Sequence, residues 1–178
     1  MKVRNMARCA LLASLMCICA WISFPLGDIA ITLQTFALFL TLTLLGGKLG
    51  SLVCLLYLAL GAVGLPVFSG FRGGLGALLG TTGGYIWGFL AAALVYWLTT
   101  AILGQRFPVR LLGCLLGLIA CYSLGTLWFY LVYLNAGSSL SIGLILAKCV
   151  LPYLLPDLAK LSAALVLGEK LKRFIRPS

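Results

Sequence analysis

Long apolar runs, separated by short polar or glycine-rich breaks, repeat from one end of the chain to the other. Several of them approach the roughly twenty residues that a helix needs to cross a hydrocarbon core about 30 Å thick. The pattern predicts six membrane-spanning helices, over residues 7–26, 32–45, 49–65, 82–103, 111–134 and 156–174. A glycine-rich loop, residues 66–80, separates the third helix from the fourth. We therefore expect an all-α, six-helix bundle in which residues 1–178 form a single membrane domain.

The first apolar run also resembles the core of a signal peptide, since basic residues precede it. The run continues to Pro25 without a small-x-small cleavage site, which favours a retained helix.

Composition supports the membrane interpretation for the whole chain. Hydrophobic residues make up 63% of the sequence and charged residues only 9%, whereas soluble domains carry roughly a quarter charged residues. This leaves no room for a soluble catalytic domain.

The net charge of +10 is explained by membrane topology rather than by nucleic-acid binding. Cytoplasmic segments of membrane proteins are enriched in Lys and Arg. With the N-terminus in the cytoplasm, ten of the thirteen cations lie on the cytoplasmic side: Lys2, Arg4, Arg8, Lys48, Arg106, Arg110, Lys170, Lys172, Arg173 and Arg176. The other three, Arg72, Lys148 and Lys160, lie on the outer side. Both termini are therefore predicted to be cytoplasmic.

Several kinds of chemistry lack their usual residues. The sequence contains no histidine, and its seven cysteines include no CxxC pair and mostly lie inside apolar runs. We expect these cysteines to be buried small hydrophobes rather than metal ligands. Gly47-Lys48 is followed by leucine, so the chain lacks a phosphate-binding P-loop and cannot hydrolyse ATP alone. No metal, cofactor or enzymatic activity is predicted.

An acid and a base stand three residues apart where the last predicted helix begins, in Pro156-Asp157-Leu158-Ala159-Lys160. On a helix this spacing places both side chains on one face. Ionisable residues at the edge of a membrane span are functional candidates, because burying them without a partner is costly. The same pair is also compatible with a structural ion pair that only neutralises itself, and both interpretations stay open at this point.

A second candidate is the glycine-rich loop, in which Arg72 is the only charged residue. Such a loop can bring its backbone close to a ligand, but Arg72 as a plain solvated loop cation fits the sequence equally well.

The second, fourth and sixth helices all begin at the outer face, with Thr32, Thr81 or Thr82, and Asp157 as capping residues. Helix starts carry partial positive charge, so this face favours a small anion.

Aromatic residues also concentrate near this predicted face. They belong either to an interfacial belt or to a surface that stacks on a flat ligand. The residues are Phe36, Phe68, Tyr85, Trp128, Tyr130, Tyr133 and Tyr153.

Five segments in this order resemble one known family, BioY, the biotin-binding S components of energy-coupling-factor (ECF) transporters. The segments are Thr32-Leu33-Gln34-Thr35-Phe36, Gly61-Ala62-Val63-Gly64-Leu65-Pro66-Val67-Phe68, Gly80-Thr81-Thr82-Gly83-Gly84-Tyr85, Gly125-Thr126-Leu127-Trp128 and Pro156-Asp157-Leu158-Ala159-Lys160. The resemblance extends over nearly the whole chain. It implies biotin uptake across the bacterial cytoplasmic membrane through an outward-facing pocket, with a transmembrane coupling subunit and two ATPases as partners.

The resemblance also suggests roles for individual residues. Asp157 would accept from the ureido N–H groups of biotin, and Lys160 would donate to the ureido oxygen or pair with the carboxylate tail. Arg72 would hold that carboxylate, while Tyr85 or Trp128 would cover the rings. A small-residue face on the first helix, here Ala10 and Ser14, would dock on the coupling subunit.

Three other functions are weighed against this one. An S component for a different small vitamin would share the architecture. An intramembrane enzyme acting on lipids would need a second acid, a histidine or a metal cluster near the face, which the sequence does not offer. A passive channel would need a ring of like residues or an amphipathic pore helix, and neither stands out.

Overall fold

The computed structural model describes residues 3–26, 29–137 and 141–175. These ranges are mostly helical. The elements are α1 Val3–Trp21, β1 Ser23–Leu26, β2 Ile29–Thr32, α2 Gln34–Ala62, α3 Leu75–Leu79, α4 Gly83–Leu103, α5 Phe107–Asn135, α6 Ile142–Cys149 and α7 Leu151–Ile175, with a 3-10 turn at Ser69–Phe71. Within the described ranges five helices, α1, α2, α4, α5 and α7, are long and apolar enough to cross a membrane. The chain is therefore a multi-pass membrane protein.

The α2 segment reverses direction at Gly46. This residue has φ 78° and ψ 175°, a backbone conformation that glycine adopts without a steric penalty. Gln34 Nε2 donates to Tyr57 OH at 2.6 Å, although 23 residues of straight helix would separate them by about 35 Å. The two arms, residues 34–45 and 47–62, therefore lie side by side. The reversal falls between the second and third predicted helices.

The arms of α2 occupy the centre of the bundle and pack against α1, α4 and α7. The pair α4 and α5 packs closely because small residues face each other across it. A Cβ on Gly88 would lie 2.7 Å from Cys121 Sγ, and one on Gly117 would lie 2.9 Å from Ala92 O. In a bilayer, helices associate through such close van der Waals contact. The glycine spacing of the sequence thus supports helix packing.

The first predicted helix extends too far. It ends at Trp21, and the following residues form an antiparallel hairpin in which Phe24 pairs with Ile31 and Pro25 with Ala30. Proline has no backbone N–H and disrupts a helix interior, while β-branched residues such as Ile31 favour strands. The sequence prediction of helix through residue 26 was wrong for these reasons.

The last helix starts earlier than predicted. It begins at Leu151, so Pro156 lies inside it and Asp157 is not a helix cap. Proline is tolerated within membrane helices, where neighbouring groups re-satisfy the freed carbonyl.

A short helix, α6, precedes α7 and was not predicted. Ser141 Oγ accepts from Leu144 N at the start of α6. Of the predicted cytoplasmic cations, Lys2 and Arg176 lie outside the described residues.

Candidate functional site

A cavity of about 850 Å³, counting its open mouth, lies between β2, α2, the loop after α2, and α4 to α7. Its wall combines apolar rings with a concentrated set of polar side chains. The polar lining residues are Thr32, Gln34, Thr35, Ser69, Arg72, Thr82, Tyr85, Tyr122, Tyr153, Asp157 and Lys160. Mostly apolar cavities with a few convergent polar groups are the usual form of small-molecule sites.

Asp157 on α7 forms the buried end of the cavity, with 5% of its surface exposed. Its Oδ1 accepts from Lys160 Nζ at 2.6 Å and from Thr35 Oγ1 at 2.9 Å. Its Oδ2 accepts from Tyr122 OH at 2.5 Å. A carboxylate offers about four lone-pair positions. The three donors therefore fix the carboxylate in place and leave Oδ2 able to accept one further N–H.

Lys160 is only slightly exposed and uses its ammonium group on protein acceptors. Besides Asp157, Nζ donates to Thr32 O at 2.7 Å and to Thr35 Oγ1 at 3.3 Å. An ammonium has three N–H donors, so all three have acceptors and the Thr35 contact is the longest. Lys160 thereby joins the end of β2 and the start of α2 to α7.

A hydrogen-bond chain extends the site beneath the loop after α2. Thr32 Oγ1 donates to Gln34 Oε1 at 3.0 Å, and Gln34 Nε2 donates to Tyr57 OH. Tyr57 OH in turn donates to Val67 O at 2.9 Å. Because each member bonds to the next, the chain links both arms of α2 to the first residues of the loop.

Arg72 occupies the exposed rim of the cavity. Its Nε donates to Ser69 O at 3.1 Å, and its carbonyl accepts from Phe68 N at 2.9 Å. Within the described part of the chain, its terminal guanidinium nitrogens make no hydrogen bond. The described lining holds two cations, Arg72 and Lys160, and one carboxylate. The cavity is therefore net positive and favours a ligand with one negative charge.

Tyr85 lines the cavity, with its ring over Gly125 and its OH 3.4 Å from Thr126 Oγ1. The structure places Trp128 outside the lining. Its Nε1 donates to Gly80 O at 3.0 Å, and its side chain packs on Gly84. Trp128 thus supports the turn that leads into α4. Of the predicted site residues, the structure brings Asp157, Lys160, Arg72 and Tyr85 together.

Two of the three predicted helix starts lie at the cavity. Thr82 precedes α4 and Thr35 belongs to the first turn of α2, and both line the wall. Thr32 is not the N-cap of α2 as predicted, because it ends β2 and Leu33 takes the cap position; its Oγ1 accepts from Gln34 N at 3.3 Å. Thr82 takes the cap position of α4, but its side chain makes no capping bond. The third predicted start was wrong, because α7 begins six residues before Asp157.

Sequence reasoning missed Thr35 and Tyr122 as partners of Asp157. Thr35 lies in one of the segments that carried the family resemblance, so its hydroxyl could have been proposed. Tyr122 offers a weaker signal, because it is one of several hydroxyl residues in the middle of α5, next to Ser123 and close to Thr126.

All seven cysteines are buried thiols and none forms a disulfide. Two of them, Cys121 and Cys149, line the cavity. Within the described ranges no three His, Cys, Asp or Glu side chains are grouped as a metal site would require.

Ala10 and Ser14 are exposed on α1, together with Ala7. Ser14 Oγ donates to Ala10 O at 3.0 Å, so its hydroxyl is satisfied within the helix. Ala7, Ala10 and Ser14 form a small patch beside the larger exposed side chains of Leu11 and Ile18, and such a patch allows close contact with another helix.

Comparison with known proteins finds relatives along the full length of the chain. A probable biotin transporter BioY from Pyrococcus horikoshii is 38% identical over 172 residues, covering 97% of this chain and 98% of that protein. The biotin transporter BioY of Thermotoga maritima is 36% identical, covering 96% and 97%. The biotin transporter BioY of Rhodobacter capsulatus is 38% identical, covering 98% and 96%.

Two solved structures share the fold. The crystal structure of the S component for biotin from an ECF-type ABC transporter aligns with a TM-score of 0.83 at 26% identity, covering 97% of this chain and 92% of that one. The S component of a bacterial ECF transporter aligns with a TM-score of 0.58 at 12% identity, which shows a shared fold alone. The sequence model of the BioY family matches residues 1–177. On this whole-length match, the chain belongs to the BioY family.

Proposed function

We propose that this protein is a membrane-embedded S component that binds biotin for uptake by an ECF-type transporter. The observation that carries the proposal is the cavity, which has a fixed buried carboxylate at one end and, at its rim, a guanidinium whose terminal nitrogens make no hydrogen bond to the described residues. Family membership supports the choice of ligand, because the relatives compared above are biotin transporters.

Biotin presents a ureido ring with two N–H donors and one carbonyl, a thioether ring, and a carboxylate tail. The open position on Asp157 Oδ2 suits a ureido N–H. Lys160 can exchange its 3.3 Å bond with Thr35 for one to the ureido oxygen. Both contacts keep the buried polar groups paired. A buried polar group that is left without a partner costs about 1–3 kcal/mol.

The carboxylate tail suits the rim. The terminal nitrogens of Arg72 can bind it in a bidentate arrangement, which strengthens the contact and fixes its geometry. Between the two ends, Tyr85 and Phe89 provide apolar ring surface for the ligand rings. Trp128 supports this wall from behind.

Equilibrium binding of radiolabelled biotin to purified protein in nanodiscs tests the proposal. We expect one site per chain, with no displacement by an excess of thiamine or riboflavin. Lys160→Met should abolish most binding, while Lys148→Met, which neutralises an exposed lysine outside the lining, should bind like the wild type. Preferred binding of another vitamin would contradict the assignment of biotin.

We further infer that the two arms of α2 are separate membrane passes, which makes six in total. An even number of passes puts both termini on the same side of the membrane, and we infer that this side is the cytoplasm and that the cavity opens outward from the cytoplasmic membrane. The cations near the ends of the chain support this orientation. Reporter fusions that are active only in the cytoplasm should be active at both termini. A fusion active at one terminus alone would contradict the even number of passes.

The energy for uptake must come from other subunits in this proposal, a transmembrane coupling subunit and two ATPases. We propose that the small face of α1 at Ala10 and Ser14 docks on the coupling subunit. Ala10→Trp should then block uptake by cells and leave binding by purified protein unchanged. Leu98→Trp, at an exposed leucine on α4 rather than α1, is the matched control. Uptake by Ala10→Trp at the wild-type rate would exclude this face.

A further inference from the structure

We propose that Trp21, at the end of α1, is a positioning residue that holds Arg72 in place for the ligand carboxylate. The inference rests on the proposed function and deepens it. Trp21 itself is not part of the cavity lining, so any effect on binding must act through the loop.

Trp21 contacts the loop after α2 at two points. Its Nε1 donates to Pro66 O at 2.7 Å. Its ring stacks on the ring of Phe71, with centroids 5.2 Å apart and an interplanar angle of 23°. Phe71 directly precedes Arg72 in the chain. The contacts therefore hold both ends of the segment that leads to the guanidinium.

The backbone of this segment needs such support. Phe71 has φ 55°, the one positive φ among the described non-glycine residues. A bulky L-residue is disfavoured in this left-handed region because its Cβ crowds the carbonyl oxygen. Such a conformation persists only where surrounding contacts impose it. The stack on Trp21 is a contact of this kind.

The two ends of the turn are held by different parts of the protein. Phe68 is buried, and its ring fills the space that a Cβ on Gly61 would occupy. Phe71 is instead 63% exposed and rests against Trp21, itself 39% exposed. The Phe68 end of the turn is therefore anchored in the core. The Arg72 end is tied to Phe68 by the backbone bond from Phe68 N to Arg72 O, and its side-chain support comes from the stack of Phe71 on α1.

Arg72 has little else to fix its side chain. The bond from its Nε to Ser69 O lies within the same turn. If the turn relaxes, this bond and the direction of the guanidinium change together. Loss of Trp21 should then resemble loss of the Arg72 charge in its effect on the ligand tail.

The test compares biotin with biotinamide, whose tail is neutral. Wild-type protein should prefer biotin by about tenfold, the effect of one charge-assisted contact. Trp21→Ala and Arg72→Gln should each remove most of this preference and leave biotinamide affinity nearly unchanged. Trp87→Ala, which removes a similarly exposed tryptophan, should keep it. An equal loss of affinity for both ligands in Trp21→Ala would overturn the inference.

A double-mutant cycle separates positioning from a general effect on the fold. Trp21→Ala in the Arg72→Gln background should cause no further loss, because contacts that act as a unit are not additive. Fully additive losses would contradict the inference. Trp21→Phe keeps the stack and should restore most of the preference.

Phe71→Gly provides a second route if Trp21→Ala folds poorly. It removes the ring, and glycine adopts φ 55° without strain. It should lose the carboxylate preference as Trp21→Ala does, and retention of the preference would overturn the inference.

Absence of biotin binding in the wild type would instead refute the proposed function. A full preference in Arg72→Gln would refute the contact between Arg72 and the ligand tail, and the inference with it, but not biotin binding.

Discussion

The two charged ends of the cavity are built in opposite ways. Asp157 is buried and held by donors from α2, α5 and α7, whereas Arg72 is exposed and makes one side-chain hydrogen bond within its own turn. The buried end is fixed before the ligand arrives. At the rim, the direction in which the Arg72 guanidinium points depends on the conformation of a loop. Selection by shape is therefore expected at the Asp157 end, and attraction of the anionic tail at the Arg72 end.

The buried end illustrates what a charge pair requires inside a membrane bundle. Removing two charges from water is costly, and their mutual attraction compensates only if the remaining lone pairs and protons are also satisfied. Thr35, Tyr122 and the carbonyl of Thr32 meet this need around Asp157 and Lys160. Such a network has two functions here, since it also leaves one acceptor position open.

The largest effects should come from breaking this pair. Asp157→Asn or Lys160→Met alone leaves an unpaired buried charge, which should lower the free energy of unfolding by about 3–5 kcal/mol and abolish binding. The double variant Asp157→Asn/Lys160→Met is neutral and should recover most of the stability but not the affinity. Thermal unfolding and biotin binding measure the two separately. Wild-type affinity in the double variant would show that the pair is only structural.

At the rim, Arg72 should affect biotin binding through its charge alone. Arg72→Gln is expected to weaken biotin binding about tenfold, which corresponds to about 1.4 kcal/mol, with an unchanged melting temperature because the side chain is exposed. The difference from wild type should shrink at high salt, where exposed charges are screened. Titrations at two ionic strengths measure this. A salt-independent loss would place Arg72 in a role other than attracting charge.

A hydroxyl that supports the buried end should have a smaller effect. Thr35→Val removes one donor to Asp157 and one acceptor for Lys160, and should weaken binding by about fivefold, close to 1 kcal/mol for one hydrogen bond. Thr35→Ser keeps the hydroxyl and should bind nearly like wild type. If the serine variant were as weak as the valine variant, packing of the methyl group would be the cause.

The smallest effect is expected at Trp128. Trp128→Phe keeps a ring against Gly84 but loses the bond to Gly80 O. Stability should fall by about 0.5–1.5 kcal/mol, and biotin affinity should change by less than about twofold. A tenfold loss of affinity would return Trp128 to the ligand-contacting role that the sequence predicts.

The strength of each sequence signal explains which parts of the site could be predicted. Asp157 and Lys160 stand out because charges are rare in apolar runs, and their spacing alone places them on one face. Arg72 stands out as the single charge in its loop. Thr35 and Tyr122 carry no comparable signal, because hydroxyls are common in membrane helices. Their contacts with Asp157 join positions 122 and 35 residues apart, which local patterns do not report.

The same distinction holds for the fold. Apolar periodicity placed the long helices, and the break at residues 46–48 marked the reversal of α2. It missed the β1–β2 hairpin, because short apolar strands and helix ends look alike without their pairing partners. It also placed the start of α7 too late, because Pro156 normally marks the first turn of a helix but here lies within one.

The two cavity thiols belong to the apolar part of the wall. Cys121 on α5 and Cys149 at the end of α6 line the wall with 5% and 2% of their surface exposed, while the other five cysteines are buried elsewhere. The thiolate is the reactive form of cysteine, and a thiol buried in apolar surroundings is inert. A ligand can therefore lie beside two sulfur atoms in this cavity without opening them to oxidation or alkylation.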